Sequence, residues 1–105
     1  MFLTDRIPKI KVGVIGLGWA GREHLKKYAA NPRAEIVGVA DTVRETADSV
    51  AGVYGVKSFY DPLELLEVKD LKAVSVCTPN AFHAPLAIAA AKKGVSAMTE
   101  KPMTI

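Results

Sequence analysis

Apolar and polar positions along this chain switch repeatedly between two periods. Runs at 10–15 (Ile-Lys-Val-Gly-Val-Ile), 34–40 (Ala-Glu-Ile-Val-Gly-Val-Ala), 56–60, 73–77 (Ala-Val-Ser-Val-Cys) and 95–99 have the length and β-branched content of buried strands. Segments of helical period lie between them. Arg22 to Ala30 places Leu25, Tyr28 and Ala29 on one face. Thr42-Val43-Arg44-Glu45 has capping-box spacing and opens a helix to about Ala51, with Gly52 and Gly55 breaking the chain after it. Asp61-Pro62-Leu63-Glu64 offers an N-cap acceptor, a proline at the first helical position and an acid in the first turn, predicting a short helix to about Glu67. A fourth helix is predicted over Phe82 to Lys93, stopped by Gly94.

Strands and helices that alternate in this way predict an α/β fold, a doubly wound parallel sheet with right-handed crossovers. The expected strand order is 3-2-1-4-5, Rossmann-like, with strands 1 and 4 flanking the switch point where such sheets bind ligands. Residues 1–105 read as one domain with residues 1–8 as an N-terminal extension, truncated before a sixth strand. Strand 5 is then an open edge with a largely apolar side, which predicts self-association through it.

The first strand runs into Gly16-Leu17-Gly18-Trp19-Ala20-Gly21, a G-x-G-x-x-G, and Asp41 follows twenty positions after its last glycine. Each glycine has a physical task. Gly16 permits the tight strand-to-helix turn, Gly18 lets a pyrophosphate approach bare backbone, and Gly21 lets the first helix lie close. The backbone N–H groups of Trp19 and Ala20 are expected to face the phosphates, where the helix N-terminus is partially positive. Asp41 would accept hydrogen bonds from the adenosine ribose. A 2′-phosphate about 4 Å from its carboxylate would meet a repulsion of about 4 kcal/mol at an effective dielectric of ~20, so the cofactor expected is NAD rather than NADP. Arg44 tempers that preference, since it can neutralise a phosphate or stack on adenine.

The same topology brings a second loop, Cys77-Thr78-Pro79-Asn80-Ala81-Phe82-His83, and a third segment, Glu100-Lys101-Pro102, to the C-terminal edge of the sheet. Pro85 is comfortable only in a first helical turn, which sets the helix start at Phe82 or His83 and leaves the Asn80 amide in the loop to meet a ribose or nicotinamide group. His83 is either a cap or exposed residue at that start or a cofactor contact. Cys77 reads as a packed strand-end residue, and His24 as a surface or packing residue.

Gly16-x-Gly18-x-x-Gly21, Asp41, Thr78-Pro79-Asn80-x-x-His83 and Glu100-Lys101-Pro102 together resemble the N-terminal domain of the glucose–fructose oxidoreductase and inositol dehydrogenase family, over about residues 8 to 105. The resemblance implies hydride transfer between NAD(P) and a carbon bearing a hydroxyl on a sugar or polyol. It places Lys101 near the nicotinamide and the reacting hydroxyl, where it would donate to the substrate oxygen or lower the hydroxyl's pKa, with Glu100 positioning that region. It also implies a second α/β domain holding the substrate pocket, which these residues do not include. The chain by itself is therefore expected to bind cofactor and to catalyse poorly. The rival expectation is a self-pairing structural scaffold that has lost its cofactor affinity.

Composition narrows the remaining classes. Half of the 105 residues are hydrophobic and 24% are charged, which suits a globular domain. Within the net charge of +3, Lys26-Lys27 and Lys92-Lys93 lie near predicted helix C-termini, where cations complement the macrodipole, and the remaining basic residues are scattered. No aromatic residues are interleaved with them, so a nucleic-acid platform is not expected. Neither a membrane span nor a signal peptide is read in the chain. The single cysteine excludes an internal disulfide, and the two histidines so placed predict no metal site. A reducing cytoplasm is the expected setting.

Overall fold

The structure, a computed structural model, describes residues 8–78 and 83–99. Its elements follow one another as β1 (Ile10–Ile15), α1 (Trp19–Ala30), β2 (Ala34–Ala40), α2 (Arg44–Tyr54), β3 (Lys57–Phe59), α3 (Pro62–Leu65), β4 (Leu71–Val76), α4 (His83–Lys92) and β5 (Ser96–Thr99). The strands form one parallel sheet in the order β3-β2-β1-β4-β5, the order expected of a doubly wound fold. No helix among the described residues is long and apolar enough to cross a membrane.

Alternation along the strands sorts side chains onto two faces. Val14 and Val39 pack with Leu25 of α1 and with Ala47, Val50 and Ala51 of α2. Ile15, Ala40, Val74 and Val76 face the other way, against Leu65 and Leu66 at α3 and Leu86 and Ala90 of α4. Gly13 and Gly38 are register partners in β1 and β2. A Cβ at Gly38 would lie 2.7 Å from the Phe59 ring and 2.9 Å from Leu65 Cδ1, so the missing side chains let α3 settle onto the sheet.

Several boundaries depart from the sequence expectation, each for a local reason. α1 begins at Trp19 with Gly18 as its N-cap rather than at Arg22. Its inward face carries Gly21, Leu25 and Tyr28, while Ala29 is exposed. No capping box forms at Thr42, because Asp41 Oδ1 accepts the Val43 N–H at 2.8 Å and that turn moves the N-cap to Val43. Gly52 does not end α2. It sits on the solvent face, and the burial of Val50 and Ala51 beside it outweighs the roughly 1 kcal/mol that a helical glycine costs. The helix stops at Gly55, whose φ of 64° is left-handed. β3 is shorter than expected at both ends, and β4 takes in Leu71 and Lys72 and closes before Cys77. The Asp61 cap forms as predicted, with Oδ1 accepting the Leu63 N–H at 2.9 Å and Pro62 opening α3.

Among the described residues one polar side chain, that of Ser75, is buried in this core. Ser75 of β4 is fully buried on the α1 side, where its hydroxyl is 2.7 Å from both His24 Nδ1 and Tyr28 Oη. His24 is thus tied to the sheet rather than left at the surface.

Candidate functional site

The register levels the ends of the three central strands, pairing Ile15 with Ala40 on one side and with Val76 on the other. Backbone bonds carry the ladder one step further. Gly16 N–H donates to Ala40 C=O at 2.8 Å, Cys77 N–H to Ile15 C=O at 2.8 Å, and Asp41 N–H to Phe59 C=O at 3.1 Å. Gly16, Asp41 and Cys77 therefore stand in a row where the chain leaves the sheet, and above them opens a cleft of about 520 Å³. Residues 15–18 form one wall, Ala40, Asp41 and Thr42 another, and Cys77, Thr78 and Leu86 a third, with Pro62 closing the β3 side. This is the edge on which open α/β sheets bind ligands.

The glycine loop is held from several directions. Gly16 has a φ of +90°, and a Cβ there would lie 2.7 Å from the Cys77 carbonyl oxygen. A Cβ at Gly21 would fall 1.9 Å from the Gly16 carbonyl oxygen, which fixes how closely α1 follows the turn. Asp41 Oδ2 accepts the Leu17 N–H at 2.9 Å, and Arg22 Nε donates to the Leu17 carbonyl at 3.1 Å. Gly18 differs from its neighbours. It lines the cleft, its φ of −74° is ordinary, and a Cβ there would meet no atom within 4 Å. Among the described residues no contact requires Gly18, so the space beside it is room for a ligand.

α1 has no side-chain cap and no acid in its first turn. The first helical N–H groups, from Trp19, Ala20 and Gly21, lack intrahelical acceptors, and α1 carries no acid of its own in that turn to bond them. Together with bare backbone at Gly18, this suits a phosphate group. Across the cleft, both Asp41 oxygens already accept backbone N–H groups, which orients a carboxylate that still has lone pairs to offer. Thr78 Oγ1 is buried at the cleft wall without a hydrogen-bond partner among the described residues, an arrangement that a bound polar group would relieve.

The expected site residues are thus partly assembled. Gly16, Gly18, Asp41 and Thr78 line the cleft, and Gly21 shapes it from below. The Trp19 side chain is 76% exposed, consistent with a role for its backbone only. His83 Nε2 donates to the Thr78 carbonyl and so ties the start of α4 to Thr78 at the cleft wall. Arg44 does not line the cleft; its guanidinium rests on the Tyr60 ring, 4.7 Å from the centroid. Asn80, Glu100 and Lys101 lie outside the described residues. Pro62 and Leu86 were not anticipated as lining residues, although Pro62 follows β3 and so emerges at the same sheet edge.

The chain is 35% identical over 98 residues to inositol 2-dehydrogenase 4 of Saccharopolyspora erythraea, covering 91% of this chain and 29% of that protein. It is 34% identical over 99 residues to the scyllo-inositol 2-dehydrogenase (NAD(+)) of Bacillus subtilis, covering 92% of this chain and 29% of the relative. The WlbA dehydrogenase from Bordetella pertussis, solved in complex with NADH and UDP-GlcNAcA, superposes with a TM-score of 0.82 at 30% identity, over 90% of this chain and 29% of that one. The chain therefore spans under a third of the length of the relatives it matches. Residues 10–105 match the model of the oxidoreductase family with an NAD-binding Rossmann fold, and the glycine turn, the strand order and the cleft agree with that match: the chain belongs to this family.

Proposed function

We propose that this chain is the NAD-binding part of an oxidoreductase that acts on sugar or polyol hydroxyls. The observation that carries the reading is the space at Gly18, set between an uncapped helix N-terminus and the oriented Asp41 carboxylate. When bound, the nicotinamide supplies the hydride acceptor or donor. The chain's own residues do the rest. Gly18 and the first amides of α1 receive the pyrophosphate, Asp41 accepts the adenosine ribose hydroxyls, and Thr78 offers its hydroxyl from the opposite wall. His83 keeps Thr78 in place rather than touching the cofactor. The family resemblance assigns Lys101 to the nicotinamide and the reacting hydroxyl, with Glu100 positioning that region.

Asp41 selects NAD over NADP in this reading, since a 2′-phosphate would be brought against a carboxylate. The relatives named above are two inositol dehydrogenases and a dehydrogenase solved with NADH and UDP-GlcNAcA, each of more than three times this chain's span, which supports the substrate class and an expectation of little catalysis by these 105 residues alone. Among the described residues β5 pairs only with β4, and Met98 is 51% exposed, which supports self-association at that edge.

Calorimetric titration with NAD and with NADP tests the reading. Saturable NAD binding that weakens in Asp41→Ala supports it. A folded chain that takes up neither nucleotide would overturn it and favour a scaffold that pairs with itself.

A further inference from the structure

We infer that Tyr60, backed by Asp48 and Ser58, positions the Arg44 guanidinium as a platform for the adenine ring of the cofactor. This rests on the NAD reading above and adds to it residues that do not line the cleft.

Arg44 and Asp48 are four positions apart on α2 and so share one helix face. That face looks onto Ser58 and Tyr60, which flank Phe59 and project opposite to it, while Phe59 enters the core. Both hydroxyls donate to the same acceptor, Asp48 Oδ1, Ser58 at 2.7 Å and Tyr60 at 2.8 Å. The phenol is thereby tethered at its far end, and the ring is held beneath the guanidinium at 4.7 Å. Exposed arginines ordinarily sample many rotamers. This one is exposed yet rests on an aromatic ring that is itself tied down.

Position gives the arrangement its purpose. The residue before Tyr60 supplies the carbonyl that accepts the Asp41 N–H, and Pro62 two residues later lines the cleft. Arg44 follows Asp41 by three positions at the start of α2. The tethered pair thus flanks the cleft at the end where Asp41 sits, which is the ribose end, and adenine is the group attached to that ribose. A planar guanidinium held beside tyrosine can offer a face for stacking on a purine, which a flexible ammonium cannot do. A 2′-phosphate would call on the same cation through its charge, and planarity would then be immaterial.

Titrations of the 105-residue chain with NAD, NADP and AMP separate these cases. Tyr60→Ala and Arg44→Lys are each expected to weaken NAD and AMP by about five- to tenfold. Tyr60→Phe keeps the ring and loses its tether to Asp48, so NAD and AMP binding is expected to fall by about two- to threefold, between the unaltered chain and Tyr60→Ala. Thermal melts of each variant confirm folding, and Arg44→Lys, exposed at a helix start, keeps the test open should Tyr60→Ala unfold. Unchanged NAD and AMP binding in Arg44→Lys would overturn the platform. So would losses confined to NADP, which would make Arg44 a phosphate clamp. An unaltered chain that binds no nucleotide would overturn the cofactor reading itself, and the platform with it.

Discussion

Asp41 Oδ2 accepts the backbone N–H of Leu17 at 2.9 Å, joining the end of β2 to the middle of the glycine loop across 24 positions of sequence. The second oxygen accepts the Val43 N–H at 2.8 Å and sets the start of α2. One carboxylate therefore holds two loops at the separation that the cleft requires, so its structural work and its proposed recognition of ribose are exerted by the same group.

Replacing it separates the two. Asparagine keeps only one acceptor oxygen, so Asp41→Asn leaves one of the two amides without its partner. A half-buried bond to a charged acceptor is worth about 1.5 kcal/mol, so the thermal midpoint should fall by roughly 5–10 °C. Removal of the charge should also narrow the preference for NAD over NADP. Melting curves with paired NAD and NADP titrations check both effects. An unchanged midpoint would show that water replaces the carboxylate at Leu17.

Ser75 invites a second test. Its buried hydroxyl serves His24 and Tyr28 together, the core's polar link between β4 and α1. Ser75→Ala removes the shared partner, and the half-buried imidazole and phenol recover only part of the loss from water, so about 1–2 kcal/mol of stability should go. Tyr28→Phe leaves the histidine bond and should cost less. Urea unfolding of the two variants gives the order; equal and negligible losses would mean that the cluster is solvated at no cost.

How far such features can be read from sequence depends on the range of the interactions behind them. β1 and β2 were legible to the residue, because each is an apolar run ended by a residue with its own local task, Gly16 or Asp41. The capping box at Thr42 was misread because its spacing carries no trace of the competing turn that Asp41 makes with Val43. Ser75 reads as one more strand residue, since its partners stand 47 and 51 positions away. Arg44 was legible as a candidate, but the Tyr60 ring beneath it was not, because that contact exists only once α2 packs on β3.

The carboxylate of Asp48 gives the fold an acid limb. Hydrogen bonds from Ser58 first and Tyr60 second, with the Arg44 charge adding to them, hold its pKa below the ordinary aspartate value of 3.8. A folded pKa below the unfolded one means that the contribution is complete above the unfolded value and is lost as the pH falls through the folded one. Stability should therefore decline below about pH 4, less steeply in Asp48→Asn than in the unaltered chain. Denaturant midpoints from about pH 2 to pH 6 would show it. Parallel declines in the two proteins would place the acid sensitivity at other carboxylates.

The three loop glycines should fail in two different ways. At Gly16, alanine would need a φ of +90° with its Cβ 2.7 Å from the Cys77 carbonyl oxygen, a backbone atom just past the end of β4 that cannot move aside cheaply. Gly16→Ala should cost about 2–3 kcal/mol of stability. Gly21→Ala should be at least as damaging, with its Cβ 1.9 Å from the Gly16 carbonyl oxygen. At Gly18 the backbone is ordinary and a Cβ meets no atom within 4 Å, so alanine should leave the fold intact or raise its stability by about 0.5 kcal/mol through the unfolded chain. NAD binding should nonetheless fall by about tenfold or more in Gly18→Ala, because the methyl occupies the space assigned to the pyrophosphate. A stable Gly18→Ala chain that binds NAD as before would remove the main support for that assignment, since the open space beside Gly18 would then serve no ligand.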